Sequence, residues 1–117
     1  MRKYCAQVIL ENFFEPCILY LLLKKPNYGY ELSKNLKDRC ECDVNIGNLY
    51  RGLNRLVKEG YITKKKKKSN IGPTKIVYTI TESGKNYLRT WIESLKKQKD
   101  TINKLITNYH HYYETSH

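Results

Sequence analysis

The sequence lacks any hydrophobic run long enough to cross a membrane. Its longest apolar stretch, residues 17–23, has seven residues, whereas a membrane-spanning helix needs about 20. Two basic residues at positions 2 and 3 are followed by apolar residues, but polar residues interrupt this apolar stretch. The segment therefore does not resemble a signal peptide. We therefore expect a cytoplasmic protein with no membrane partner, in which the four cysteines are reduced thiols.

The sequence also lacks the common catalytic motifs. It contains no nucleophile elbow, no phosphate-binding loop and no helical histidine pair spaced for zinc. Its three histidines, His110, His111 and His117, all lie in the polar C-terminal stretch. These absences predict a protein that is not an enzyme and needs no cofactor.

Acidic residues are scarce relative to basic ones. The 117 residues include 22 Lys and Arg against 11 Asp and Glu, a formal net charge of +11. Between residues 51 and 75, nine residues are basic and only Glu59 is acidic. Concentrated positive charge suits a polyanion, because binding phosphates releases their counterions. The alternative is an ordinary solvated surface, which charge runs often form.

Apolar periodicity predicts helices in the first half of the chain, which is long enough for one domain. Residues 3–14 have helical character, and Pro16 suits the first turn of a helix over residues 16–25. Counted from that helix, a second is predicted over residues 29–39 and a third over residues 46–59.

The predicted helix over residues 46–59 has one apolar stripe. Asn45 is a plausible N-cap, and Gly60 lies where a C-terminal cap belongs. The stripe consists of Ile46, Leu49, Leu53 and Leu56. The remaining positions are polar and are expected to face away from the core.

From Tyr61 the pattern changes to that of a β-hairpin. Residues 61–68 and 75–81 flank a turn-forming stretch at 69–73, and lysines occupy positions 64–68. Three helices followed by a hairpin indicate a mainly α fold with a β-hairpin wing, that is, a winged helix-turn-helix. In such folds the helix before the wing enters the major groove of DNA.

This arrangement predicts a DNA-binding surface on the third helix and the wing. Asn and Arg side chains have the geometry to bind base edges, whereas Lys suits phosphate. The predicted contacts are Asn48, Tyr50, Arg51, Asn54, Arg55, Lys58, Lys66, Lys68, Thr74 and Lys75.

The last predicted element is a long helix over residues 82–110, which Thr81 can cap. Its apolar positions have alternating spacings of four and three residues, as in a coiled coil, and Lys99 interrupts them. We predict that they pair two copies of the chain. The predicted dimer contacts are Leu88, Trp91, Ile92, Leu95, Ile102, Ile106 and Tyr109. The chain would thus divide into a DNA-binding part, residues 1–81, and a dimerisation helix and tail, residues 82–117.

Three motifs, in order, resemble the PadR family of bacterial transcriptional regulators. Residues 21–32 (LLLKKPNYGYEL) resemble the family's LLxxGPxHGYEL junction, and residues 48–56 (NLYRGLNRL) resemble its TLYxxLxxL recognition helix. Residues 72–84 resemble the wing and its exit, with GPTK at the start and YTITESG at the end.

The resemblance implies a homodimeric repressor of transcription, with Tyr50 at the DNA interface and the C-terminal helix as the dimer contact. The chain resembles the smaller subgroup of the family, which has a single C-terminal helix. Members of that subgroup can bind flat aromatic or cationic compounds between subunits. The corresponding candidates for a small effector are Phe13, Phe14 and Trp91, although aromatic residues at helical spacing more often only pack at an interface.

Two alternatives share the same fold. Cys40 and Cys42 form a Cys-x-Cys pair like that of ArsR-type metal-sensing regulators, which raises the hypothesis of a thiol or metal sensor. Two thiolates are too few for a closed zinc site, so ordinary loop cysteines are the simpler interpretation. An architectural or plasmid-partition DNA-binding protein has the same fold and charge as a regulator, and the sequence does not separate them.

Overall fold

A computed structural model of the chain describes residues 13–40, 44–68, 72 and 74–115. These residues form four helices and one three-stranded sheet. In chain order the elements are α1 (Phe14–Lys24), β1 (Asn27–Tyr28), α2 (Gly29–Cys40), α3 (Ile46–Lys58), β2 (Ile62–Lys67), β3 (Lys75–Ile80) and α4 (Glu82–Thr115). The predicted winged-helix fold with a long C-terminal helix is confirmed. Most of the helix predicted over residues 3–14 lies outside the described residues.

Three predicted caps are present where these helices begin and end. The side chain of Asn45 accepts a hydrogen bond from the backbone N–H of Asn48 at 2.8 Å. Gly60 follows α3 with a φ of +81°, the left-handed conformation that favours glycine. Thr81 Oγ1 accepts from the backbone N–H of Gly84 at 3.0 Å and so caps α4.

The sheet is antiparallel and has the order β1-β3-β2. The hairpin of β2 and β3 pairs Lys64 with Tyr78 and Lys67 with Lys75. The short strand β1, which was not predicted, pairs Tyr28 with Val77. This strand connects the segment between α1 and α2 to the wing.

The core lies where α1, α2 and α3 pack together with the base of the sheet. Its fully buried side chains are Ile18, Leu19, Leu22, Leu32, Leu36, Leu49, Leu53, Leu56 and Ile62. The prediction that Ile46 shares the buried stripe of α3 is wrong, since this residue is 57% exposed. It is the first residue of α3, and only the later turns of the helix reach the core.

The long helix α4 packs on the core only near its start. Gly84 and Leu88 are its two buried residues, and a Cβ at position 84 would collide with the backbone carbonyl of Tyr61. The helix has 34 residues, about 50 Å at 1.5 Å per residue. The molecule is therefore elongated, with principal extents of 71 × 27 × 21 Å. In the part of the chain that the structure describes, no helix is long and apolar enough to span a membrane.

Candidate nucleic-acid interface

Helix α3 separates a buried face from an exposed polar face. Its inward residues include Leu49, Leu53 and Leu56, which have no exposed surface. Their spacing of four and three residues places the polar residues between them on the outer side of the helix. The exposed polar residues of this face are Asn48, Tyr50, Arg51, Asn54, Arg55 and Lys58.

Two of these polar side chains contact each other. Arg51 donates a hydrogen bond from Nη2 to Oδ1 of Asn48, one turn earlier on α3. Both residues are exposed, so their remaining donors and acceptors are directed to solvent. Together they present amide and guanidinium donors, groups that bind base edges in the major groove.

Tyr50 bridges α3 and α2. It is 39% exposed, and its ring lies against Gly29, the first residue of α2. A Cβ at position 29 would come within 2.5 Å of the Tyr50 hydroxyl oxygen. Because Gly29 has no side chain, the Tyr50 ring can pack against it, and the Tyr50 hydroxyl lies at the edge of the polar face.

Arg55 has a partner inside the protein. Its Nε and Nη2 donate to the two carboxylate oxygens of Glu15 at 2.7 and 2.6 Å, and Glu15 is only 2% exposed. The hydroxyl of Tyr87 donates to the same carboxylate at 3.1 Å and accepts from Arg55 at 3.2 Å. One network thereby connects α1, α3 and α4.

This network gives Arg55 a structural role, although its side chain is still 46% exposed. Its predicted base contact stays a prediction. The hydrogen bond to Glu15 raises the pKa of Arg55 above its usual range, against the opposing effect of burial. A two-point guanidinium–carboxylate pair compensates a charge that would otherwise be costly to bury. One feature of the sequence indicates this pairing, namely an acidic residue, Glu15, within an otherwise apolar helix. Its partner could not be identified from the sequence, because Arg55 lies 40 residues away.

The wing extends the basic surface of α3. The lysines at positions 64–68 are all exposed. Among the predicted wing contacts, Lys66 lies in β2, Lys75 begins β3, and Lys68 and Thr74 flank the turn between the strands. All four are exposed.

Aromatic residues connect the wing to the start of α2. The rings of Tyr28 and Tyr30 lie nearly parallel, with centroids 6.2 Å apart. The ammonium nitrogen of Lys75 lies 5.2 Å from the first ring centroid and 5.8 Å from the second. These are cation–π distances, so the wing lysine is held beside α2. Neither tyrosine was predicted from the sequence to belong to the site.

The predicted dimer contacts divide into three groups by exposure. Leu88 is 7% exposed and packs in the core of its own chain, so its apolar side chain already has partners. Trp91 and Leu95 are half-buried. The other four predicted contacts, three of which lie beyond Leu95, are exposed by 39% to 57%: Ile92, Ile102, Ile106 and Tyr109. This outer part of α4 has the apolar surface that a second chain would cover.

The remaining candidates are the two phenylalanines proposed for an effector and the two cysteines. Phe13 and Phe14 pack against the core, and the Phe14 ring occupies the space beside Gly52 on α3. Cys40 is half-buried against the core at the end of α2, and Cys42 lies outside the described residues. The described residues contain no group of three or more His, Cys, Asp or Glu that could hold a metal ion.

The fold and this surface together define a winged-helix protein of the DNA-binding class. The chain belongs to the PadR-like family of transcriptional regulators, whose family model matches residues 18–90.

Solved structures of regulators are similar over most of the chain. A transcriptional regulator from Clostridium thermocellum is 30% identical, with a TM-score of 0.75 and coverage of 82% of this chain and 92% of that one. A PadR-like regulator from Bacillus cereus is 35% identical, with a TM-score of 0.72 and coverage of 84% and 95%. Bacillus subtilis PadR, crystallised with operator DNA, is 30% identical with a TM-score of 0.62, covering 67% of this chain and 45% of that one.

Proposed function

We propose that the chain is a homodimeric transcriptional repressor that binds a specific operator in double-stranded DNA. The observation that carries this proposal is the exposed face of α3, where Asn48, Arg51 and Asn54 are free of the core. In winged-helix proteins this helix enters the major groove. Asn binds adenine and Arg binds guanine through paired hydrogen bonds there. The operator complex of the Bacillus subtilis relative supports DNA as the ligand.

The remaining predicted contacts would hold the DNA backbone. Tyr50 and Lys58 lie on the same exposed face as the base-reading residues, and a phenol or ammonium group there suits phosphate. The wing would add further phosphate contacts, from Lys66, Lys68, Thr74 and Lys75. Arg55 is left out of the proposed contact set because Glu15 engages its guanidinium.

The proposed dimer forms along the outer part of α4. Its apolar residues recur at coiled-coil spacing, and several of them have large exposed fractions, including Ile106 at 48% and Leu105 at 70%. A second copy of the chain is the simplest partner that supplies the same surface. Two copies would present two α3 helices to successive major grooves, about 34 Å apart.

The first test is selection of duplexes from a random pool by the purified protein. The proposal predicts enrichment of one pseudo-palindromic sequence with half-sites about ten base pairs apart or a multiple of that. In Arg51→Ala and Asn54→Ala, binding to this sequence should weaken by about 1–3 kcal/mol, while binding to unrelated duplexes is retained. A pool that shows no enrichment after repeated selection would contradict sequence-specific binding and favour an architectural role.

The direction of regulation requires a separate test. A reporter promoter that contains the selected sequence should lose expression when the chain is produced and regain it with Arg51→Ala. Increased expression would mean that the chain is an activator. An aromatic effector beside Trp91 and a thiol or metal response at Cys40 and Cys42 stay predictions.

A further inference from the structure

A pocket of about 360 Å³ opens between the start of α2, the side of α3 and the start of β3. Four of its lining residues are tyrosines: Tyr28, Tyr30, Tyr50 and Tyr78. Thr74 and Lys75 complete its polar lining. We call this cavity the tyrosine pocket. It lies beside the proposed DNA-binding face, because Tyr50 belongs to that face.

Tyr78 is the unusual residue of the tyrosine pocket. It is only 2% exposed, and its hydroxyl makes no hydrogen bond to any other residue that the structure describes. The hydroxyl is not among the fully buried side-chain atoms that lack a partner, so it is accessible from the pocket that its side chain lines. Burial, and secondarily the nearby Tyr50 phenol, raise the pKa of Tyr78 above its ordinary value. Like any phenol at neutral pH, the hydroxyl is protonated and can donate a hydrogen bond to a ligand.

The charge of the tyrosine pocket favours an anion. Lys75 contributes an ammonium group, which the rings of Tyr28 and Tyr30 hold in place at 5.2 and 5.8 Å. The described residues that line the pocket include no Asp or Glu. Glu31 lines a second groove, which Tyr28 and Tyr30 also border, and not the tyrosine pocket. Hydroxyl donors around one ammonium group match the oxygen atoms of a phosphate.

We propose that the tyrosine pocket takes one phosphodiester group of the DNA backbone. Lys75 supplies the positive charge, and the hydroxyls of Tyr50 and Tyr78 donate to the phosphate oxygens. This inference rests on the proposed function, and it assigns a DNA contact to a residue buried in the wing. Because Tyr50 lies on α3 and Lys75 lies on the wing, the bound phosphate would fix the wing relative to the major groove.

The first experiment measures duplex binding by fluorescence anisotropy for the intact protein and for Tyr78→Phe. This change removes one hydroxyl and keeps the ring. Loss of a hydrogen bond to a charged group should weaken binding about tenfold. The loss should be equal for the selected duplex and for unrelated duplexes, because a phosphate carries no sequence information.

The matched control is Tyr61→Phe. Tyr61 is half-buried and stacks on Tyr87 with ring centroids 4.1 Å apart, a contact that a phenyl ring retains. Affinity within about twofold of the unaltered chain is expected. Lys75→Gln is a second, exposed variant, and it should reduce the salt slope of binding by about one per chain. Circular dichroism checks that every variant is folded.

A second experiment locates the phosphate. A set of selected duplexes, each with one neutral methylphosphonate, is titrated with both proteins. At one position in each half-site, the neutral group should cost the unaltered protein more affinity than it costs Tyr78→Phe, which keeps only the Lys75 and Tyr50 contacts to that phosphate. If the two proteins give the same profile and the same affinity, the phosphate inference is wrong while the proposed function stands. If the unaltered protein binds no duplex at all, the proposed function fails as well.

Free phosphate ion has the same chemistry as a backbone phosphate, so a third measurement separates them. Inorganic phosphate and chloride are compared as competitors at equal ionic strength. Equal competition is expected if the pocket is specific for the DNA backbone. Selective displacement of DNA by phosphate from the unaltered protein, but not from Tyr78→Phe, would identify a free-phosphate site and overturn the proposal.

Discussion

At the residue scale, two arginines one turn apart on α3 have different environments. Arg51 is exposed and donates a hydrogen bond to Asn48 on the helix surface, whereas Arg55 binds the buried carboxylate of Glu15. Residue type and spacing alone made both of them candidates for base contacts. The difference depends on a tertiary partner from α1, which helical periodicity does not include.

Arg55→Ala should lower the stability of the fold more than it changes base recognition. The variant leaves the Glu15 carboxylate buried with the Tyr87 hydroxyl as its one remaining hydrogen-bond partner among the described residues. Because Arg55 is itself partly exposed, we expect a loss of about 2–3 kcal/mol, at or below the lower end for broken buried pairs. Urea unfolding followed by circular dichroism measures this loss.

Arg51→Ala is the matched control, since it removes the same side chain from the exposed face of the same helix. Its stability should stay within about 0.5 kcal/mol of the unaltered chain, while its affinity for the selected duplex falls. The opposite result, in which Arg55→Ala unfolds normally but loses base preference, would restore the sequence-based assignment of Arg55 to DNA.

At the element scale, the helices and the hairpin follow from local sequence. The cap at Asn45, the positive φ at Gly60 and the cap at Thr81 are short-range features, so the ends of α3 and the start of α4 could be predicted. Strand β1 could not, because two residues carry no periodicity and their pairing partner is β3, about 50 residues away.

The wing lysines should contribute to affinity through charge and not through sequence preference. Replacing Lys64, Lys66 and Lys68 with Gln should flatten the dependence of the binding constant on salt, because each lost phosphate contact removes about 0.9 from the logarithmic slope. The selected sequence should stay the same. Binding titrations at several salt concentrations measure the slope.

The control for the wing is the replacement of three exposed lysines of α4, namely Lys96, Lys97 and Lys104, with Gln. The change in net charge is equal, but these residues lie on a different element. If both triple variants lower the slope equally, the effect comes from total charge and the wing makes no particular contact.

At the scale of the whole molecule, the row of apolar residues at coiled-coil spacing on α4, here called the apolar seam, is buried near the start of the helix and exposed further along it. Leu88 completes the core of its own chain, whereas Ile102 and Ile106 are exposed. The regular spacing predicted a single interface, because periodicity shows which residues share a face and not which molecule covers that face. The three-dimensional fold is needed to divide the seam.

In the proposed assembly, two chains joined along α4 hold two α3 helices on one DNA site. Analytical ultracentrifugation of the protein, alone and with the selected duplex, measures whether this dimer forms. We expect a species of twice the 13.9 kDa chain mass that binds one duplex. Ile102→Lys combined with Ile106→Lys should give a folded monomer with weak DNA binding. An unaltered protein that stays monomeric, both free and on DNA, would rule out the proposed assembly.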